Sequence, residues 1–372
     1  MESPLRLLIP GPIDLDKRVL AALAEPVIPH YGDDWVALYR RLQDGVRPHA
    51  GTAGSVFLLA ASGSGALDAG VRSLTSPGDR VLVPVSGYFS QRFYEIALAN
   101  NLEAYKLDVK PGLAPTPEQI AEAIDSLSIK TLLLCHNETS CGAICDVEAI
   151  GRVCQSRGVN IFLDAISSLA SVEIRADDWG LDYVAAASQK GLEGPPGLAP
   201  AIITPRGWDT YDRNPARSVG WYFDFGVWRG FERDLGEYHP QPATMPVNVA
   251  RALDVAIGLQ AGESRGDRYR RIAAGAAGLR SSLRELGFKI LAPESVASPT
   301  VTCAFVPPDL EGRVGDLLAW MRNECGFILA EGFGPLQGRI IRIGHMSRLV
   351  FESYLPEFLS GIERYLRLAR AA

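Results

Sequence analysis

Short apolar runs alternate with segments of helical periodicity along the first two thirds of the chain. The helical pattern is clear at 33–51, where Trp35, Leu38 and Leu42 recur on one face. Strands that alternate with helices predict a mostly parallel sheet covered by helices on both faces, an α/β fold. The predicted strands are 55–62, 80–86, 103–109, 131–142 (running into a loop), 160–168, 182–188 and 199–204.

The pattern changes near residue 250, where long helical segments at 248–262 and 267–287 precede strand-like runs at 300–306 and 339–345. A chain of 372 residues is also long for one hydrophobic core. We therefore predict a large domain over 15–262. A smaller α+β C-terminal domain is predicted to comprise 263–372 together with the N-terminal segment 1–14.

Composition excludes several classes of function. The formal net charge of −6 and the lack of a basic patch argue against a nucleic-acid partner. No apolar run approaches the ~18 residues of a membrane span, and the N-terminus does not resemble a signal peptide, so we expect a cytoplasmic protein without a membrane partner. The six cysteines lack zinc-site spacing, so we expect reduced thiols and no metal.

Three polar features follow predicted strands. The segment 61–70, ASGSGALDAG, leads into a helix, and its small residues and Ser64 suit an anion at a helix N-terminus. Asp164 and Lys190 each end an apolar run. Taken singly, these features also fit a tight turn, a turn-capping Asp and a surface lysine. Together they favour a phosphorylated pyridine that bears an aldehyde, which is pyridoxal phosphate.

At these residues the sequence resembles the class V aminotransferases, which are pyridoxal-phosphate enzymes of fold type I. Within that class it is similar to the alanine–glyoxylate, serine–pyruvate and pyridoxamine–pyruvate aminotransferases. The resemblance covers nearly the whole chain and depends on an ordered set of motifs. They are PGP at 10–12, SGSGA at 62–66, HNETSCG at 136–142, DAISS at 164–168, SQKGL at 188–192 with GPPGLA at 194–199, and RIGHMS at 342–347.

The resemblance implies a role for each matched residue. Lys190 would form the Schiff base with the cofactor and act as the catalytic base, and Asp164 would pair with the pyridine nitrogen. Arg342 would grip the substrate carboxylate, and Thr244 would reach across a dimer to the partner's cofactor phosphate. The other cofactor-binding residues implied are Ser64, Gly65 and Ala66 (phosphate), Gln189 (phosphate), Phe89 and Ile166 (the two ring faces) and Thr139.

The resemblance also implies the activity. The enzyme would be a homodimer with shared active sites that moves an amino group from a small amino donor to a 2-oxo acid such as glyoxylate or pyruvate. The alternatives are a lyase or desulfurase on the same scaffold, and a sensor that binds the cofactor without catalysis. A desulfurase needs a nucleophilic cysteine, and Cys325 lies among apolar residues typical of a core. A nicotinamide dehydrogenase is disfavoured because SGSGAL is not GxGxxG.

Some stretches leave two interpretations open. In HYGDDW at 30–35, His30, Tyr31 and Asp34 would contact a substrate, or Asp33 or Asp34 would cap a helix, which we favour. The aromatic stretch 218–236 would line a pocket or pack an interface, and we favour packing. His136 is either structural or part of the site.

Overall fold

The computed structural model describes residues 5–214, 216 and 220–371. Within that part of the chain the strands, numbered in chain order, are β1 (Arg6–Leu7), β2 (Ser55–Leu59), β3 (Arg80–Val85), β4 (Glu103–Asp108), β5 (Thr131–Cys135), β6 (Asn137–Glu138), β7 (Ala143–Ile144), β8 (Asn160–Asp164), β9 (Tyr183–Ala185), β10 (Ala199–Ile203), β11 (Lys289–Ile290), β12 (Val301–Phe305), β13 (Phe327–Ile328), β14 (Ala330–Glu331) and β15 (Ile340–Gly344).

Helices surround these strands. Across the same described residues the α-helices are α1 (Lys17–Leu23), α2 (Asp33–Ala50), α3 (Gly63–Leu74), α4 (Tyr88–Ala99), α5 (Pro117–Leu127), α6 (Val147–Arg157), α7 (Pro205–Asp212), α8 (Phe225–Leu235), α9 (Val247–Gln260), α10 (Arg265–Glu285), α11 (Val314–Cys325) and α12 (Leu355–Ala371). A π-helical turn, Val350–Tyr354, leads into α12.

A seven-stranded sheet in the order β2-β10-β9-β8-β5-β3-β4 organises the larger part of the molecule. All its strands are parallel except β10, which is antiparallel to both of its neighbours. The middle strands are almost entirely buried because helices cover both faces, which is why LLLC in β5 and IFL in β8 are uninterrupted apolar runs. The α/β fold class predicted from the sequence is confirmed.

A second sheet, in the order β11-β12-β15-β14, lies in the C-terminal part of the chain. Its hydrophobic cluster draws on residues 279–366 and on Leu8, whereas the cluster around the large sheet draws on 35–253. Strand β1 pairs with β13, which attaches the N-terminal segment to the C-terminal part. The domain bounds at 14/15 and 262/263 stay a prediction; residues 1–4 and 372 of the predicted small domain lie outside the described residues.

Two helix starts differ from the sequence-based expectation. Helix α2 begins at Asp33, but its N-cap is Gly32, at φ 81°, and the two aspartates occupy the first turn instead. The sequence QRFYEIALANN at 91–101 predicts a helix that starts at 91, but α4 begins at Tyr88, because the distant carboxylate of Glu138 accepts hydrogen bonds from its first-turn N–H groups. The aromatic stretch contains helix α8, and residues 218 and 219 of that stretch lie outside the described part.

Candidate active site

The carboxyl ends of five parallel strands meet at one edge of the large sheet. In the register, Cys135 at the end of β5 lies opposite Asp164 at the end of β8, and Asp164 lies opposite Ala185 of β9. Strands β2 and β3 end at the same edge and lead into α3 and α4. This edge is where α/β proteins bind ligands, and it collects the polar features singled out in the sequence.

Lys190 follows β9 in a turn in which its carbonyl accepts a hydrogen bond from Glu193 N–H at 2.9 Å. Its amine donates to the carbonyl of Pro10, so the PGP segment lies directly against it. Gly11, at φ 101°, is required there because a Cβ would overlap the lysine amine. Burial lowers the pKa of Lys190 to about 8, although the carboxylate of Asp164 opposes the shift. A neutral amine is therefore accessible near physiological pH.

Asp164 is 6% exposed at the end of β8. Burial raises its pKa to about 7, and the hydrogen bond from the Ile166 N–H at 2.9 Å only partly opposes the shift. A buried carboxyl of this kind is stabilised as an anion by a cation placed against it. A protonated pyridine nitrogen is such a cation.

A cavity of about 220 Å³ connects these two groups. It brings together seven of the predicted site residues: Ser64, Phe89, Thr139, Asp164, Ile166, Gln189 and Lys190. Gly63 allows Ile166 to approach, because a Cβ on this glycine would lie 2.6 Å from the Ile166 Cδ1 atom. The remaining lining residues, none of them assigned from the sequence, are Gly11, Ser62, Gly63, Arg92, Asn137 and Ser167.

In the turn that the sequence predicts to bind an anion, the residues that line the cavity are Ser62, Gly63 and Ser64. Ser62 is the N-cap of α3. Gly65 N–H is directed to the Ser62 hydroxyl at 3.4 Å, whereas Ala66 is fully buried and its N–H bonds to the Ser62 carbonyl. Neither Gly65 nor Ala66 lines the cavity, so the turn presents the residues at the very start of the helix, where N–H groups lack intrahelical acceptors.

Arg342 lies on β15 and is 5% exposed. Its Nε donates to the Glu331 carbonyl at 2.7 Å, and its Nη1 lies 3.4 Å from the Thr139 carbonyl. The ring of Phe333 covers one face of the guanidinium at 4.1 Å. Arg342 thus reaches the rim of the site through Thr139, but it is not among the residues that line the 220 Å³ cavity.

Thr244 lines a neighbouring open groove of about 540 Å³ rather than the cavity itself. The groove shares Ser62 and Gln189 with the cavity, so Thr244 lies close to the anion-binding turn of its own chain. Tyr238, which the family resemblance offers as a second contact of the same segment with the partner, is 56% exposed. Whether either residue reaches a partner chain stays a prediction.

Sequence reasoning missed Arg92, which lines the cavity one helical turn after Phe89. Its Nη1 donates to the Ser64 hydroxyl at 3.2 Å, and its guanidinium lies 5.3 Å from the Phe89 ring centroid. Among the described residues no carboxylate forms an ion pair with it. Arg92 could have been found in the sequence because it lies three residues after Phe89. On a helix this i, i+3 spacing places both side chains on one face.

Glu138 and Asn137 were also not assigned a role. Glu138 is 2% exposed and accepts hydrogen bonds from Phe89, Ser90 and Ser140, and so fixes the start of α4. Asn137 lines the cavity, and its side-chain oxygen has no hydrogen-bond partner in the described part of the protein.

The two histidines of the motifs lie outside the cavity. His345 is fully buried with its Nε2 3.0 Å from the Thr302 hydroxyl, and burial lowers its pKa to about 3. His136 is also buried, and burial lowers its pKa to about 4. Both are therefore neutral at physiological pH, as expected of structural histidines.

These residues fit pyridoxal phosphate. The cavity offers an amine of lowered pKa for the aldehyde, a buried carboxyl for the ring nitrogen, and a helix N-terminus with two hydroxyls for the phosphate. Phe89 and Ile166 supply apolar surfaces for the ring. No group of three or more metal-ligating side chains occurs among the described residues, and none of their helices is long and apolar enough to cross a membrane.

Comparison with known proteins agrees with this chemistry. Residues 45–207 match the family model for class V aminotransferases. An uncharacterized aminotransferase of Methanocaldococcus jannaschii is 33% identical over 91% of this chain and 87% of its own length. The (S)-ureidoglycine–glyoxylate transaminase of Bacillus subtilis is 27% identical over 98% of this chain and 91% of its own.

A solved structure extends the agreement to three dimensions. Alanine–glyoxylate aminotransferase from Nostoc sp. superposes with a TM-score of 0.91 at 27% identity, over 99% of this chain and 97% of that one. The fold-type I architecture and the expected cofactor are thereby confirmed. The chain belongs to the class V aminotransferases and is a pyridoxal-phosphate-dependent aminotransferase.

Proposed function

We propose that the enzyme transfers the amino group of a small amino donor to glyoxylate or pyruvate at the Lys190–Asp164 cavity. The observation that carries this proposal is the placement of Lys190 and Asp164 in one cavity with the anion-binding turn.

The residues divide the work by their chemistry. Asp164 keeps the ring nitrogen of the cofactor protonated, and Phe89 and Ile166 hold the two ring faces. The phosphate is bound by Gln189, Ser64 and the first N–H groups of α3. Ser62 and Gly63 belong to the same phosphate site. Gly65 and Ala66 support this site from the next positions of the helix. Thr139 contacts a ring substituent or the substrate.

Pyridoxal phosphate, when bound, supplies an aldehyde that condenses with amines and a protonated ring that withdraws electrons from the substrate Cα. Lys190 takes the Cα proton of the donor, which its lowered pKa permits near neutral pH. Arg342 orients the donor through its carboxylate, and its bonds to Glu331 and Thr139 hold the guanidinium in place. Arg92 adds a positive charge to the phosphate side of the cavity.

The acceptor is proposed from the names of two similar proteins, since both the Bacillus subtilis relative and the Nostoc enzyme are named for glyoxylate. Their donors differ, so the donor class rests on this chain's own cavity. A small donor without a positively charged side chain fits, because Lys190 and Arg92 are cations that line the cavity in the described residues and would repel a further positive charge.

We also propose a homodimer in which Thr244 contributes to the partner's phosphate site. The exposed aromatic side chains of Trp221 and Tyr238, 59% and 56% exposed, support a second copy packing near this face. A cytoplasmic location is proposed from the six cysteines, all of which are free thiols.

The lyase or desulfurase alternative gains no support from the thiols. Cys325 is 7% exposed within the C-terminal hydrophobic cluster. Cys141 and Cys303 lie nearer to the site, but burial raises the pKa of both thiols above its ordinary value. None of these cysteines is among the lining residues of the cavity.

The proposal is tested by the visible spectrum of the purified enzyme during titration with L-alanine, L-serine, L-glutamate and pyridoxamine. We expect L-alanine or L-serine, the small amino acids of this set, to bleach the cofactor band, and glyoxylate or pyruvate to restore it. Lys190→Ala is expected to lose that donor-dependent bleaching. Bleaching by L-glutamate alone would contradict the proposed donor class, and a band that no donor bleaches would contradict transamination at this site.

A further inference from the structure

The segments that follow Asp164 and Lys190 both contain a non-glycine residue in the left-handed region. Ala170 lies six positions after Asp164 and has φ 64°, and Glu193 lies three positions after Lys190 and has φ 57°. Such backbone is strained for a residue with a Cβ and persists where surrounding contacts hold it. The two segments also touch directly, since a Cβ on Gly191 would overlap the Leu169 carbonyl.

Arg268 holds both segments. Its Nε donates to the Ala170 carbonyl at 2.7 Å, and its Nη2 donates to the Gly191 carbonyl at 3.0 Å and to Glu193 Oε1 at 2.7 Å. The side chain is 2% exposed. One planar guanidinium therefore connects the strained residue of each segment and the carbonyl of the residue next to Lys190.

Arg268 comes from outside the large sheet. It lies in the first turn of α10, whose later residues Leu279 and Leu283 pack in the C-terminal hydrophobic cluster. Gln260 of α9 supports the same contact by donating to the Gly191 carbonyl at 3.1 Å. The placement of Lys190 thus depends on a side chain that the C-terminal part of the molecule holds.

We infer that Arg268 is a positioning residue that fixes Lys190 relative to Asp164. The inference depends on the roles proposed above for these two residues. Lys190 must reach the substrate Cα while Asp164 stays on the ring nitrogen, and a displacement of about 1 Å between reacting groups costs up to about 100-fold in rate. A residue that sets this geometry affects the chemical step more than donor binding.

The test compares Arg268→Ala with Arg280→Ala in the full-length holoenzyme. Arg280 is a matched control because it is also buried on α10 and paired with a glutamate, Glu294, but bonds the Ser298 carbonyl instead of the Lys190 segment. We expect Arg268→Ala to keep the cofactor band and to slow its single-turnover bleaching by about 10- to 100-fold. The donor concentration for half-maximal rate is expected to stay within about twofold, because Arg342 is untouched. Arg280→Ala is expected to bleach within about twofold of the wild-type rate.

A second readout separates positioning from general destabilisation. The cofactor band of the enzyme changes with pH, and the midpoint of that change depends on the electrostatic surroundings of Lys190. We expect this midpoint to shift by about half a pH unit or more in Arg268→Ala and to stay unchanged in Arg280→Ala. If Arg268→Ala does not fold, Glu193→Gln replaces it, with a smaller loss of about 3- to 10-fold because one charge-assisted bond is weakened.

The inference is wrong if Arg268→Ala, or Glu193→Gln in its place, bleaches within twofold of the wild type with an unchanged midpoint. It is equally wrong if Arg268→Ala and Arg280→Ala lose rate in proportion to their loss of melting temperature. Failure of the proposed function is recognised separately, because Lys190→Ala would then keep the donor-dependent bleaching.

Discussion

The Glu138 carboxylate allows a stability prediction to be worked out from individual hydrogen bonds. Oε2 accepts from Ser90 N–H and Oγ, both at 2.8 Å, and Oε1 accepts from Ser140 N–H at 3.1 Å and Oγ at 2.6 Å. Phe89 N–H is shared between the two oxygens at 3.2 and 3.1 Å. In Glu138→Gln, one carboxylate oxygen is replaced by an NH2 group, which cannot accept hydrogen bonds. This NH2 group must face either the donors of Ser90 or the donors of Ser140. At least one buried backbone N–H then loses its acceptor.

The magnitude follows from this count. One orphaned N–H costs about 1–3 kcal/mol, and weaker bonds to an uncharged oxygen add roughly 1 kcal/mol. We therefore expect Glu138→Gln to destabilise the protein by about 2–4 kcal/mol, which lowers the melting temperature by about 2.5–5 °C for a chain of 372 residues. The start of α4 carries Phe89 and Arg92, so the cofactor dissociation constant is expected to rise as well.

The assay is thermal unfolding of the holoenzyme followed by circular dichroism, with Glu148→Gln as the control. Glu148 also lies in the first turn of a helix, α6, but its side chain is 44% exposed and pairs with Arg152 at the surface. Its replacement is expected to cost less than about 0.5 kcal/mol. Melting temperatures of the two variants within about one degree of each other would refute the reasoning.

Three further variants test the site. Burial raises the pKa of Asp164 from 3.8 to about 7. Between these two pH values the folded protein binds more protons than the unfolded chain. The Asp164 carboxylate therefore destabilises the fold progressively as pH rises through this window, and the destabilisation is complete above it. Asp164→Asn should therefore raise the melting temperature of cofactor-free protein at pH 8 but not at pH 4, while abolishing turnover; an equal gain at both pH values would contradict this. Arg342→Lys should lower kcat/KM for the donor by about 100-fold, because an ammonium group cannot form the two parallel hydrogen bonds that a planar guanidinium donates to a carboxylate. A kcat/KM within fivefold of the wild-type value in steady-state kinetics would contradict this. Arg92→Ala should weaken pyridoxal phosphate binding to the apoenzyme by about 10-fold or more in a fluorescence titration, whereas the surface variant Arg72→Ala should match the wild type; equal affinities would remove Arg92 from the phosphate side.

The sequence predicted the architecture because its signals are local. Continuous apolar runs such as LLLC in β5 indicate strands buried on both faces, and the alternation with helices leaves few sheet topologies. The same locality explains why Asp164 and Lys190 were recognised, since each directly follows a strand whose end must reach the ligand-binding edge. The ordered motifs then identified the family.

Local signals were weaker at helix starts. Gly32 rather than an aspartate caps α2, and at the start of α3 the cavity is lined by Ser62 and Gly63 and not by Gly65 and Ala66. In both places the composition indicated a helix N-terminus correctly. The residue that presents its N–H groups depends on where the first turn closes, and a shift of one or two residues is within the ambiguity of helix ends.

Patterns along the chain were sufficient to predict the order of strands and helices, the lysine and carboxylate at the strand ends, and the enzyme class. The contacts that hold these groups in place were found only in the folded chain. Glu138 meets α4 from 48 residues away, and Arg268 meets Glu193 and Ala170 from 75 and 98 residues away. The physical reason is that a buried charge is stable wherever the fold supplies its partners, and no periodicity along the chain records a contact between segments that meet only after folding.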